Sequence, residues 1–182
     1  LAAVRDAWLE IMDEVKRNRP DAQINGIAIE PMIQKPNGRE LVVGMMRDKI
    51  FGPTIVFGPG GTSVEAYSSD RAVALPPLNS VLVADMLAST RTTARLGEFR
   101  NMPPVNMDAI ESVLLRVSSM VCELPWISEM DINPLIVDEH GAVAVDARIT
   151  IENTPITAGR YDHMAIHPYP SQLKSSFQAK DG

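Results

Sequence analysis

The chain has 182 residues, 45% of them hydrophobic and 22% charged, with a formal net charge of −6 at pH 7. That is the size of one domain or two small lobes, with ample apolar material for a core. The acidic balance argues against a non-specific nucleic-acid surface, which needs a basic one, and the single Cys122 excludes a disulfide framework within the chain.

Lack of a disulfide framework fits a reducing, cytoplasmic setting. No apolar run approaches the roughly 20 residues of a membrane span, and no signal peptide is visible. The sequence opens on Leu1 and a helix begins at once, as expected of a piece of a longer chain.

In chain order, Val4, Ala7, Trp8, Ile11 and Val15 recur at helical spacing and predict an amphipathic helix ending near Asn18 and Pro20. Ile24 to Ile33 is apolar and β-branched and predicts a strand. After the turn Pro36-Asn37-Gly38, strands are expected at Glu40 to Arg47 and Pro53 to Phe57, the second broken by Gly58, Gly60 and Gly61. Val64 to Tyr67 and Arg71 to Leu75 are short strand candidates. Val81, Leu82, Met86 and Leu87 predict a helix, followed by a short basic one from Arg91 to Leu96. Asp108 with Glu111 reads as a capping box opening a helix with the stripe Ile110, Val113, Leu114, Val117 and Val121. A hairpin follows, and after Ile151 a tail or linker rich in Pro, Ser and charge. Strands and helices come in blocks, which predicts an α+β fold: a mainly antiparallel sheet with helices packed on one face.

The hairpin carries the strongest chemical signal. Glu129, Asp131 and Asn133 alternate onto one strand face and Met130 and Ile132 onto the other. The polar run Asp138-Glu139-His140-Gly141 reads as the turn. If Val137 sits opposite Ala142, the same register puts Asn133 opposite Asp146, with Cβ atoms about 4.5–5.5 Å apart. A carboxylate and an amide oxygen at that separation suit Mg²⁺ beside a phosphate chain; the other reading is an edge hairpin whose polar face meets water. Asp146 lies among Ala and Val, which predicts partial burial. Phe57-Gly58-Pro59-Gly60-Gly61-Thr62 offers backbone N–H groups to a phosphate, or is only a tight strand connection. Arg47 is suited to bind phosphate or to pair at the surface with Asp48 or Glu65. His140, His163 and His167 have no metal partner at a diagnostic spacing and are expected to be solvated.

Taken in order, these segments resemble the ATP-grasp domain of NDP-forming acyl-CoA synthetases, relatives of the succinyl-CoA synthetase β subunit. The resemblance runs over about residues 1–150. It is carried by Gly26-Ile-Ala-Ile-Glu30-Pro31-Met32, Gly38-Arg-Glu40 through Arg47-Asp48, Phe51-Gly52-Pro53, the glycine loop, Leu75-Pro76-Pro77-Leu78, Asp131-Ile-Asn133-Pro134-Leu135 and Asp146-Ala147-Arg148. It implies the C-terminal lobe plus part of the first, with residues 151–182 as a tail. It also implies that Glu30 and Met32 belong to a hinge strand at the adenine, that Glu40 lines the nucleotide site, and that Gly60 and Gly61 lie near the phosphates, with Arg47 as a neighbour. Asn133 and Asp146 would hold Mg²⁺, and Asp131 would meet a phosphohistidine as the catalytic candidate. The implied ligands are ATP or ADP and Mg²⁺, with CoA or acyl-CoA in the parent protein.

The family's phosphate-binding lysine, histidine-bearing loop and CoA-binding domains have no counterpart in the sequence, so those domains are expected as partners in the same parent chain. Tyr161-Asp-His163-Met-Ala-Ile-His167-Pro168-Tyr169-Pro170 resembles the junction before a GNAT-type acetyltransferase domain, which implies such a domain downstream. A second reading makes the chain a non-catalytic ligand-sensing domain of an acetyltransferase. A third uses the sheet as an interface between copies of the chain. Neither nucleic acid nor membrane is expected as a partner.

Overall fold

The computed structural model describes residues 2–61, 69–98, 101–152 and 161–167. The chain divides into two compact units, Leu1–Gln34 and Lys35–Gly182. In the first, helix α1 spans Ala2–Asn18, with Lys16 and Arg17 in its last turn, where positive charge suits the helix dipole. The strand expected over Ile24 to Ile33 does not form, and Ile29 and Met32 are 76% and 83% exposed. A β-branched run becomes a strand only when a ladder partner takes its backbone groups, and Pro31 removes one donor.

The second unit is built on a sheet in the order β3-β2-β1-β4, with β5 and β6 both on the far edge of β4. The strands are β1 (Arg39–Asp48), β2 (Gly52–Pro59), β3 (Ala72–Ala74), β4 (Ile127–Asp138), β5 (Gly141–Ala144) and β6 (Ala147–Ile151). Every described pairing is antiparallel. Helices α2 (Ser80–Ala88) and α3 (Met107–Glu123) and the short 3-10 helix Arg91–Arg95 lie between β3 and β4 in sequence. The candidate strand Val64 to Tyr67 lies outside the described residues.

The sheet's inner face and the helices close one core. Leu41, Val43 and Met45 of β1, Ile55 and Phe57 of β2, and Leu135 and Val137 of β4 are buried with Ile110, Leu114, Val117 and Val121 of α3. Helix α3 is capped by Asn106, whose side chain accepts from Ala109 N at 2.9 Å. Asp108 stands inside the first turn, so the expected capping box starts two residues too late. Asn79 caps α2 in the same way, accepting from Leu82 N at 2.9 Å.

A buried and a half-buried cation tie loops to the sheet. The Arg39 guanidinium donates to the carbonyls of Asn37, Arg95, Gly97 and Pro103. Lys35 Nζ stands 2.6 Å from Asp138 Oδ1. That oxygen also accepts from His140 N and Gly141 N, closing the β4–β5 turn. The Lys35 hydrogen bond, with the two turn N–H groups, holds the Asp138 carboxyl below the usual aspartate range.

Part of the tail folds back. His163 is half-buried, with Nε2 3.1 Å from the Val121 carbonyl near the end of α3, and Met164 is buried. Solvation, expected for all the histidines, therefore fails for His163: the helix's last carbonyls lack partners of their own, and the ring approaches one.

Candidate functional site

The β4 hairpin adopts the register expected from its turn. Val137 faces Ala142, Leu135 faces Ala144, and Ile132, Asp131 and Met130 face Ala147, Arg148 and Ile149. Between the two runs, Asn133 N donates to Asp146 O at 3.1 Å and Val145 N to Pro134 O at 3.0 Å, so Asn133 stands opposite Asp146.

The pairing of β4 with β1 is different. Leu41 faces Leu135 but Val43 faces Ile132, so Asn133 and Pro134 together oppose Val42. This bulge lets Met130 and Ile132 on one side of it, and Leu135 and Val137 on the other, all face the core. It also marks the place where β4 turns its amide side chain to the outer face, away from the helices.

Asn133 Oδ1 accepts from Gly61 N at 2.8 Å. That bond unites the two strongest sequence motifs, the glycine loop and the hairpin. Glycine is required twice here. A Cβ on Gly60 would stand 2.2 Å from the Leu41 carbonyl oxygen, and Gly60 N donates to Glu40 O at 3.0 Å. Gly61 has φ +72, and a Cβ there would fall 1.5 Å from Glu40 Oε2. Glu40, Gly60, Gly61, Asn133 and Asp146 thus form one cluster.

Asp131 lies next along β4, on the same face, with Oδ1 3.9 Å from where a Cβ on Gly44 would be. It borders an outer-face depression of about 230 Å³ together with Val42, Val56, Arg71 and Asn133. Glu40 and Gly60 border a second cavity, of about 270 Å³, with Arg39, Thr92 and Arg95. Arg71 was not singled out from sequence; nothing local marks it, because its place at the rim depends on how β3 joins β2.

Two expectations about side chains change. Asp146 is exposed, not partly buried. Its apolar neighbours lie on the sheet's edge, and Ala144 to Ile151 are all exposed. Arg47 lies seven residues from Glu40, about 23 Å along an extended strand. Its guanidinium donates to the carbonyls of Pro125 and Ile127 and pairs with Glu152 Oε2 at 3.5 Å. Glu30 and Met32 lie in the first unit and are exposed there. His140 is exposed beside Glu139.

The described residues contain no group of three or more His, Cys, Asp or Glu side chains that could hold a metal. A two-ligand site is the arrangement that fits. Asn133 Oδ1 keeps a lone pair beyond the one given to Gly61, and the Asp146 carboxylate opposite it makes no hydrogen bond among the described residues. Magnesium is commonly held by one or two protein oxygens, with phosphates and water completing its shell.

A family model of the ATP-grasp domain matches residues 1–151. The chain belongs to the ATP-grasp family. Over 147 residues this ATP-grasp chain is 37% identical to the β subunit of ADP-forming acetate–CoA ligase I from Pyrococcus furiosus, covering 81% of the chain and 62% of that protein. Its fold matches the Ca. Korarchaeum cryptofilum dinucleotide forming acetyl-coenzyme A synthetase 1 in complex with coenzyme A, Ca-AMPCP and HgCl+. The TM-score is 0.71 at 38% identity, with 82% of this chain and 64% of that one covered. A second structure of the same synthetase holds coenzyme A and Mg-AMPPCP, its phosphohistidine segment pointing towards the nucleotide binding site. There the TM-score is 0.62 at 38% identity, over 65% of this chain and 55% of that one. The chain therefore spans about three-fifths of the length of these relatives. The similarity is to the ATP-grasp part of those longer proteins, and no helix among the described residues is long and apolar enough to cross a membrane.

Proposed function

We propose that the outer sheet face binds a magnesium–nucleotide complex and serves the phosphoryl-transfer step of an ADP-forming acyl-CoA ligase. The observation that carries this reading is the Gly61 N–H to Asn133 Oδ1 bond. It draws a glycine loop, a carboxylate (Glu40) and the Asn133–Asp146 pair to one place on a face the helices leave bare. The coenzyme A, nucleotide and magnesium of the related synthetase supply the matching ligand set.

In this reading Asn133 and Asp146 would hold the metal, which when bound neutralises charge on the phosphates. Asn133 is oriented by its bond to Gly61. Lacking side chains, Gly60 and Gly61 let the loop lie directly on β1 beside Glu40; their own N–H groups go to Glu40 O and Asn133 Oδ1, so the loop would serve the phosphates by holding Asn133 and Glu40 in place. Glu40 would line the nucleotide side of the loop. Asp131, exposed on the same face, would accept a hydrogen bond from an approaching phosphohistidine and orient its ring. Arg47 is spent on carbonyls at the start of β4 and is assigned to holding β1 there. Acetate or a related small acid is the substrate class, with coenzyme A joined in another domain.

Calorimetric titration of the full-length protein with ADP and ATP, with and without Mg²⁺, tests the reading. Binding should depend on Mg²⁺, and Asp146→Ala should abolish that dependence. Equal affinity in the variant, indifferent to Mg²⁺, would remove the metal assignment.

A ligand-sensing role beside an acetyltransferase is a second reading, favoured by the Tyr161 to His167 segment. Its resemblance to an acetyltransferase junction is joined by its docking on α3 through His163. Acetylation of a lysine peptide by the full-length protein, modulated by nucleotide, is the expected result; absence of acetyl transfer would remove this reading.

A further inference from the structure

Three arginines of the sheet are used in different ways. Arg39 is buried and spent on backbone carbonyls, and Arg47 is spent on carbonyls and Glu152. Arg148 on β6 is exposed and has neither hydrogen bond nor ion pair among the described residues.

Its place is set by register. Arg148 is directly opposite Asp131, and directly paired residues point to the same side, with Cβ atoms about 4.5–5.5 Å apart. Asp146 precedes it by two residues, about 6.6 Å along the chain and on that side too. Asp131 faces outward over Gly44. Arg148 therefore stands exposed on the outer face beside two carboxylates and is committed to neither among the described residues.

We propose that Arg148 recognises the terminal phosphate of a bound nucleoside triphosphate. The inference rests on the nucleotide reading above. Along β4 and β6 the order is glycine loop, Asn133 with Asp146, then Asp131 with Arg148. A polyphosphate that touches the loop and the Asn133–Asp146 pair ends over Arg148. Arg71 borders the depression from the β3 side; on the β6 side the planar Arg148 guanidinium offsets Asp131 and Asp146 and presents two donors to phosphate oxygens. A diphosphate, one phosphate shorter, does not reach it. Arg148 thus makes the site favour the triphosphate over the diphosphate, and it faces the group to be transferred across from Asp131.

The test is calorimetric titration of the full-length protein with Mg-ADP and Mg-AMPPCP, comparing wild type, Arg148→Ala and Arg148→Lys. Arg148→Ala should weaken Mg-AMPPCP binding about tenfold or more while leaving Mg-ADP within about twofold, the loss expected for a charge-assisted contact. Arg148→Lys, which keeps the charge but not the fork, should fall between. Thermal melts of the variants should match wild type, since the residue is exposed on an edge strand. Equal weakening of both nucleotides, or no change in either, would overturn the assignment while leaving the nucleotide reading standing. Wild-type protein that binds neither nucleotide would overturn both.

Discussion

On β1, Leu41, Val43 and Met45 point toward the helices and are buried; of the residues that point the other way, Glu40 and Met46 are exposed, while Val42 and Gly44 between them are buried. The contrast extends across the sheet. The inner face is a continuous apolar layer sealed by α2 and α3. The outer face carries Glu40, Asp131, Asn133, Asp146 and Arg148 around a glycine loop. Alternation along a strand keeps the two faces apart, so the same backbone serves stability on one side and ligand chemistry on the other. Where the two demands meet, at Asn133 and Pro134, the strand bulges, and the apolar pattern resumes one residue out of step.

Substitutions on the two faces should therefore separate cleanly. The largest effect is expected on the inner face: Phe57→Ala should cost about 3–5 kcal/mol in urea unfolding. Gly61→Ala lies at the boundary. Its positive φ and the Glu40 carboxylate in the way of a Cβ should cost about 1–3 kcal/mol and weaken nucleotide binding as well, so a variant with full affinity would break the contrast. Asn106→Ala, which removes the α3 cap far from the ligand face, should cost about 1 kcal/mol and leave affinity unchanged.

A pH effect belongs to the Lys35–Asp138 pair. The Asp138 carboxyl titrates below its ordinary range in the folded protein, so its contribution is complete above the unfolded aspartate value, about 3.9, and is lost as pH falls through the lower folded value. Lys35→Met should flatten that acid limb in unfolding measurements at stepped pH; an unchanged limb would show that the pair is not its source. The smallest stability effect is expected from Asp146→Asn on the exposed edge, within about 0.5 kcal/mol, even though Mg²⁺-dependent binding falls.

Helix and strand positions in the second unit were largely legible, because each apolar stripe had the period of its element. The Asn106 cap was not: Asp108 and Glu111 have the right spacing for a box, and only the observed Ala109 N–H bond shows which side chain caps the helix. Asp146 misled because apolar neighbours imply burial only when another layer covers them. Ile24 to Ile33 misled for a related reason, since propensity does not supply a partner strand. The partners of Arg47 and His163 were invisible because carbonyls leave no mark in a sequence pattern.

What the sequence by itself determined was the hairpin. A two-residue loop between Asp138 and Gly141, if it sets Val137 opposite Ala142, places Asn133 against Asp146; the structure adopts that register, which also sets Asp131 against Arg148. What only the tertiary structure decided was the meeting of that hairpin with the glycine loop. Gly61 and Asn133 are 72 residues apart in the chain, and β1 lies between their strands. No local spacing encodes such a contact; it follows from which strands pair and from the bulge that turns Asn133 outward.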